Sequence, residues 1–117
     1  MDQRFREAEH IRRRADFQQV YDQGSRQGGR LMTVFVLPRN GDVTRLGIAA
    51  TRKLGGAVQR NRAKRLVREI FRRHQHPPGL DIVVVPRTAL LEAPWPVIQA
   101  EYVACLDRRA RRPRPAR

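Results

Sequence analysis

Only one cysteine, Cys105, occurs in the 117 residues, which excludes an intramolecular disulfide and any zinc site built from clustered cysteines. A lone cysteine of this kind belongs on a helix face as a small apolar residue. Acid is scarce: 11 Asp plus Glu stand against 25 Lys plus Arg, a formal net charge of +14. Lysine is scarcer still, 2 residues against 23 arginines. No run approaches the ~18 apolar residues of a membrane span. The first fourteen residues mix charges without an apolar centre and so resemble neither a secretory signal nor a membrane anchor. These absences lead to the expectation of a cytoplasmic protein whose partner is a polyanion rather than a membrane. The acids are scattered, so no compact metal site is expected. His10 lies apart from His74 and His76, so no acid-base pair of a nuclease is expected either, and catalytic residues are expected to be none.

What remains is a chain with room for one core. The expected division is a flexible basic arm at 1–12, a single RNA-binding domain at 13–109 and a disordered basic tail at 110–117. Phe17, Val20 and Tyr21 share one face of a first helix over about 13–23, which Gly24 stops. A Gly-rich connection with room for a short strand follows. Leu31–Leu37 and Thr44–Thr51 are strand-like and are joined by Asn40-Gly41-Asp42, which predicts a hairpin with a slightly long loop. Residues 57–74 form the longest helix and end at Pro77-Pro78-Gly79. Asp81–Pro86 is apolar on both faces and is expected at the centre of the sheet. Trp95-Pro96 opens a last helix in which Ile98, Tyr102, Cys105 and Leu106 share a face. The fold class is therefore α+β, one small sheet packed with helices.

The long helix carries the sharpest signal. At about 100° per residue, Ala63, Leu66, Val67, Ile70, Phe71 and His74 fall in one arc, while Lys64, Arg65, Arg68 and Arg72 fall opposite. Between Arg52 and Arg73 the only acid is Glu69, so self-repulsion among Arg60, Arg62, Lys64, Arg65, Arg68, Arg72 and Arg73 points to a missing anion. Guanidinium offers a planar fork for phosphates and a face for bases, so the expected anion is a nucleic acid. Gly55-Gly56 brings flexible chain to the helix N-terminus, where free amides also suit a phosphate, although Gly-Gly before a helix is ordinary turn chemistry too.

The string Arg52-Lys53-Leu54-Gly55-Gly56-Ala57-Val58-Gln59-Arg60-Asn61-Arg62-Ala63-Lys64-Arg65-Leu66-Val67-Arg68-Glu69 closely resembles the signature of bacterial ribonuclease P proteins. Ala15-Asp16-Phe17 with Tyr21 and Gly24, the Phe35 strand and the Gly47 strand extend the similarity over roughly 11–106. The resemblance implies a ribosomal-protein-like fold of four strands and three helices, in the order αβββαβα. Its βαβ crossover would be left-handed, against the general rule. It also implies two RNA surfaces. Lys53, Arg60, Asn61, Arg62, Lys64, Arg65, Arg68 and Arg72 match positions that bind the catalytic RNA. Phe17, Tyr21, Phe35, Thr51 and Arg52 match a cleft for the 5′ leader of precursor tRNA, with Lys53 also within reach of its phosphates. Read from their own spacing, Phe17 and Tyr21 serve equally well as core. The chain departs from the family pattern at Phe35, commonly Tyr, at Ala49, commonly Ser, and at Gly56, often Asn.

The activity implied is that of a subunit without catalytic groups: the RNA and its magnesium ions cleave, and no metal or cofactor sits on the protein. The implied partners are the catalytic RNA and precursor tRNA, with no protein partner. A ribosomal-type RNA-binding protein without leader recognition shares the charge and the fold class. A nuclease that acts without RNA is the other rival.

Overall fold

The computed structural model describes residues 9–111, with side chains through 107. The expectations for residues 1–8 and 112–117 lie outside the described residues. The elements are α1 (Arg14–Gln23), β1 (Ser25–Gly28), β2 (Met32–Pro38), β3 (Arg45–Ile48), α2 (Ala57–Arg73), β4 (Leu80–Pro86) and α3 (Trp95–Arg111). Short 3-10 turns occur at Arg52–Leu54, just before α2, and at Thr88–Glu92, between β4 and α3.

The four strands lie in the order β1-β2-β4-β3, antiparallel except for the parallel pair β3 and β4. The expected hairpin between the second and third strands is not formed. Instead β4 inserts between them, and β2 makes its hairpin with β1. The reason is burial: Ile82, Val83 and Val84 are fully enclosed, so β4 must be covered on both faces and flanked on both edges. The shorter β3, with Arg45 and Gly47 on one face, tolerates an edge.

Strand alternation divides the core. Met32, Val34, Val36, Leu46, Ile82 and Val84 face α2 and α3, which contribute Ala63, Val67, Ile70, Phe71, Ile98, Tyr102 and Cys105. The faces assigned to both helices from periodicity are the buried ones. On the opposite side of the sheet, Val83 packs with Ile11 and Val20, and Phe17, Tyr21, Phe35, Leu37 and Val85 are half-buried around them. Ile11 lies ahead of α1, and its N–H donates to the Leu46 carbonyl at 2.9 Å, so the packed chain begins before the helix.

Gly24 ends α1 in an extended conformation (φ −79°) rather than a left-handed one. Glycine is needed there for space, because a Cβ would lie 2.6 Å from the Val20 carbonyl oxygen and 3.0 Å from that of Val36. The β1–β2 turn is held from α3. The Glu101 carboxylate accepts hydrogen bonds from the backbone N–H groups of Arg30, Leu31 and Met32, at 3.1, 2.7 and 3.0 Å. Satisfying three adjacent amides with one charged acceptor makes Glu101 a clamp between α3 and the sheet.

At the far end of α2, His76 stacks on Phe71 (4.5 Å between centroids) and shares a 2.7 Å hydrogen bond with the Tyr102 hydroxyl. Burial pushes the Tyr102 phenol up, while burial and then the charge of His74 bring His76 down to about 4. The unfolded imidazole takes its proton near pH 6.5 and the folded one only near pH 4, so between these values the unfolded state binds more protons. Stability contributed by the neutral ring is therefore present above about pH 6.5 and is lost as pH falls toward 4. With the ring partly in water, the expected loss is on the order of 1–2 kcal/mol. Urea unfolding of the wild type and His76→Gln at pH 7 and pH 4.5 checks this. The gap between the two proteins should move in the acid's disfavour of the wild type, and a constant gap would refute it.

Candidate nucleic-acid interface

Two surfaces meet at the loop between β3 and α2. Leu54 is buried and pins the 3-10 turn that follows β3, which leaves Thr51, Arg52 and Lys53 exposed. Gly55 then takes φ +122°, a conformation open to glycine, and turns the chain into α2. No side chain caps the start of α2, and Gly56 as N-cap offers none, so its first-turn amides are open to an anion. The expectation of free amides there agrees with this geometry.

Along α2, Asn61, Arg62, Arg65, Arg68 and Arg72 are exposed, while Arg60 and Lys64 are half-buried at the edge of the helix contact. Packing of Ala63, Val67, Ile70 and Phe71 on the sheet fixes the direction of this ridge. Glu69 accepts hydrogen bonds from Arg72 and Arg73, and these charge-assisted contacts hold its carboxyl below the usual range. Among the described residues no carboxylate pairs with Arg60, Arg62, Lys64, Arg65 or Arg68. The expected unpaired cation ridge thus stands for these five and not for Arg72 and Arg73, whose charges are already met by Glu69 within the helix.

The sheet face opposite α2 and α3 carries the aromatic groups. Tyr21 meets Phe35 edge-on at 5.0 Å, and Phe17 lies tilted against Tyr21 at 6.5 Å. All three rings are half-buried, so they belong to the small core cluster and to the surface at once. Partial burial raises the Tyr21 phenol. Gly47 allows this arrangement, since a Cβ there would lie 2.8 Å from two atoms of the Phe17 ring. The structure therefore joins Phe17, Tyr21 and Phe35 in one patch. Thr51 and Arg52 follow the end of β3, the edge strand on which Gly47 lies against the Phe17 ring.

Two cations beside this patch escaped sequence reasoning. Arg26 lies opposite Phe35 in the β1–β2 register. Arg87 donates from Nη2 to the buried Thr33 hydroxyl at 3.1 Å, two residues along β2 from Phe35. Their only sequence signal is the period of two along β1 and β2, which needs the pairing of strands before it becomes useful.

At the other end of the same face, Arg45 clasps Asp81 with two hydrogen bonds of 2.8 and 2.7 Å, and Asp16 stands 3.6 Å from Arg45. Hydrogen bonding to Asp81 pushes the Arg45 guanidinium further up. That charge is spent inside the protein. His74 and His76, close in sequence at the end of α2, lie 5.2 Å apart as part of the Phe71 and Tyr102 packing cluster. Among the described residues no group of three or more His, Cys, Asp or Glu is placed to hold a metal, and no helix is long and apolar enough to cross a membrane. Cys105 is buried on the inner face of α3.

A rigid ridge of unpaired cations on one helix, with an aromatic, cation-flanked face on the other side of the sheet, is the arrangement of an RNA-binding protein of the α+β class. The family model for Ribonuclease P matches residues 5–110. The chain is 45% identical over 84 residues to the ribonuclease P protein component of Oleidesulfovibrio alaskensis, covering 68% of this chain and 67% of that protein. It is 42% identical over 94 residues to that of Thermotoga maritima, covering 79% and 80%. The solved structure of the Staphylococcus aureus RNase P protein superimposes with a TM-score of 0.76 at 36% identity, over 86% of this chain and 94% of that one. The Thermotoga maritima RNase P protein structure gives 0.76 at 37%, over 86% and 96%. The chain belongs to the ribonuclease P protein family.

Proposed function

We propose that the α2 ridge seats the catalytic RNA of ribonuclease P while the aromatic sheet face holds the 5′ leader of precursor tRNA. The protein is the non-catalytic subunit of that ribonucleoprotein and assists RNA-catalysed removal of the leader. The observation that carries the division of labour is the absence of carboxylate partners for Arg60, Arg62, Lys64, Arg65 and Arg68 among the described residues, on a helix whose direction is fixed by the core. Asn61 and Lys53 extend that surface toward the loop, and Arg72 contributes less because Glu69 holds it. On the other face, Phe17, Tyr21 and Phe35 offer ring surface to unpaired leader bases, with Thr51, Arg52, Arg26 and Arg87 around them for phosphates.

The work of such a subunit is electrostatic. Two RNAs brought together repel, and fixed guanidinium groups between them lower that cost and the demand for divalent ions. Magnesium is held by the RNA and supplies the hydrolytic chemistry. Precursor tRNA is made in the cytoplasm, and we place the protein there.

Binding of precursor tRNA with and without its leader to the reconstituted holoenzyme tests the leader reading. Loss of the leader should weaken binding on the order of tenfold or more, from stacking worth ~1–3 kcal/mol per base. The same truncation should matter little to the catalytic RNA alone. Equal affinities with and without the leader would favour a purely structural RNA-binding role.

A further inference from the structure

One flank of the α2 ridge faces the start of α3 and forms the wall of an open groove of about 670 Å³, within the ~300–1,000 Å³ span of ligand clefts. Arg62, Arg65, Leu66, Glu69 and Arg73 line it from the helix, and Trp95 lines it from the other side. Leu66 and Trp95 are half-buried and pack on the main core, so the floor is apolar and fixed. Glu69 holds the Arg73 side chain by a hydrogen bond from Nε, and the Arg73 guanidinium lies over the indole, 5.7 Å from its centroid.

We infer that this groove is a stacking site for one unpaired base of the catalytic RNA, with Trp95 as the platform and Arg62 and Arg65 taking the flanking phosphates. This rests on reading α2 as the surface that meets that RNA. Three features choose a base over a phosphate for the interior. The floor is a flat indole and a leucine, which favour a π-face and offer nothing to an anion. Glu69 lies inside the groove and repels a phosphate while accepting a hydrogen bond from an exocyclic amine. The unpaired cations, Arg62 and Arg65, stand on the ridge side, where the backbone entering and leaving the groove would pass. The Arg73 guanidinium lies over the indole at 5.7 Å, too close to leave room for a base between them, so the base takes its place on the ring and Arg73 turns outward to a flanking phosphate. The leader patch lies on the opposite face of the sheet, which makes the base one of the catalytic RNA rather than of the substrate.

The chain has a single tryptophan, so its fluorescence reports on this groove alone. Titrating the full-length protein with an in-vitro transcribed bacterial ribonuclease P RNA should quench Trp95, whereas a plain RNA duplex at the same concentration should not. Trp95→Leu keeps an apolar floor without a π-face and should weaken binding about tenfold, inside the range of one lost base stack, with the salt dependence unchanged. Trp95→Phe should recover most of the affinity. Unfolding midpoints keep the comparison within the folded range. An unquenched Trp95 at saturating RNA, or a folded Trp95→Leu of full affinity, would overturn the stacking site. The salt slope of an arginine variant of the ridge tests the underlying reading separately, so the two failures are distinguishable.

Discussion

Replacing Arg65 and Arg68 together by Ala is expected to weaken binding to the catalytic RNA by on the order of 10- to 100-fold near physiological salt. It should also shallow the log-log dependence of affinity on salt by roughly one to two units, since each phosphate contact removed takes about 0.9 from the slope. Both side chains are exposed on a helix whose buried face is untouched by the change, so the fold should persist and thermal unfolding should shift little. The companion variant Arg72→Ala should do less, because its guanidinium is already bound to Glu69 and its phosphate contact would come at the expense of that pair. Affinities measured over a series of salt concentrations decide the matter. A double variant with an unchanged slope would remove α2 from the RNA interface.

The contrast between Arg68 and Arg72 shows how far the sequence could be read. Helical periodicity placed both on the outer arc of α2, and that placement is correct. Periodicity also named the buried arc, because Ala63, Val67, Ile70 and Phe71 need no knowledge of what they pack against. What periodicity cannot resolve is which of several neighbouring arginines a single glutamate will choose. Glu69 has partners within reach on either side of its helix, and side-chain rotamers settle on Arg72 and Arg73.

Strand pairing marks a second boundary. The apolar run of Ile82–Val84 announced a central strand, and β4 is central. Yet the turn residues at 40–42 suggested that β2 and β3 pair directly, and local turn chemistry lost to the larger gain of enclosing β4 on both edges. Phe35 was named through the family resemblance, but the cations whose place beside it depends on that pairing were hidden. Arg26 and Arg87 become part of the aromatic face only once β1 and β4 flank β2. Glu101, one of the scattered acids by sequence, becomes a clamp only when α3 crosses the β1–β2 turn. The cations from Arg60 to Arg68 were legible because one helix carries them all, whereas Thr51, Arg52 and Asn61 were named only through the family resemblance.

The same pairing makes Arg45 and Asp81 a cross-strand couple between β3 and β4, and this gives the other large expected effect. Asp81 is 4% exposed and takes both hydrogen-bonding nitrogens of Arg45, with Arg39 Nε a further 3.5 Å contact. Asp81→Ala leaves Arg45 on the sheet face with only Asp16 at 3.6 Å, and it removes the side-chain pair that reinforces the β3–β4 ladder at its start. Breaking a buried pair by deleting one partner costs ~3–5 kcal/mol, and the partial exposure of Arg45 puts this case near 3 kcal/mol. Urea unfolding should therefore show a large fall in midpoint, while the salt slope for catalytic-RNA binding, measured where the variant is still folded, should stay at the wild-type value. This is the reverse of the outcome for Arg65 and Arg68. A midpoint within about 0.5 kcal/mol of wild type would show that the pair does not hold β3 in place. A changed slope would show instead that a guanidinium released from Asp81 turns to the RNA, and the separation between arginines that build the fold and arginines that meet phosphate would fail at that residue.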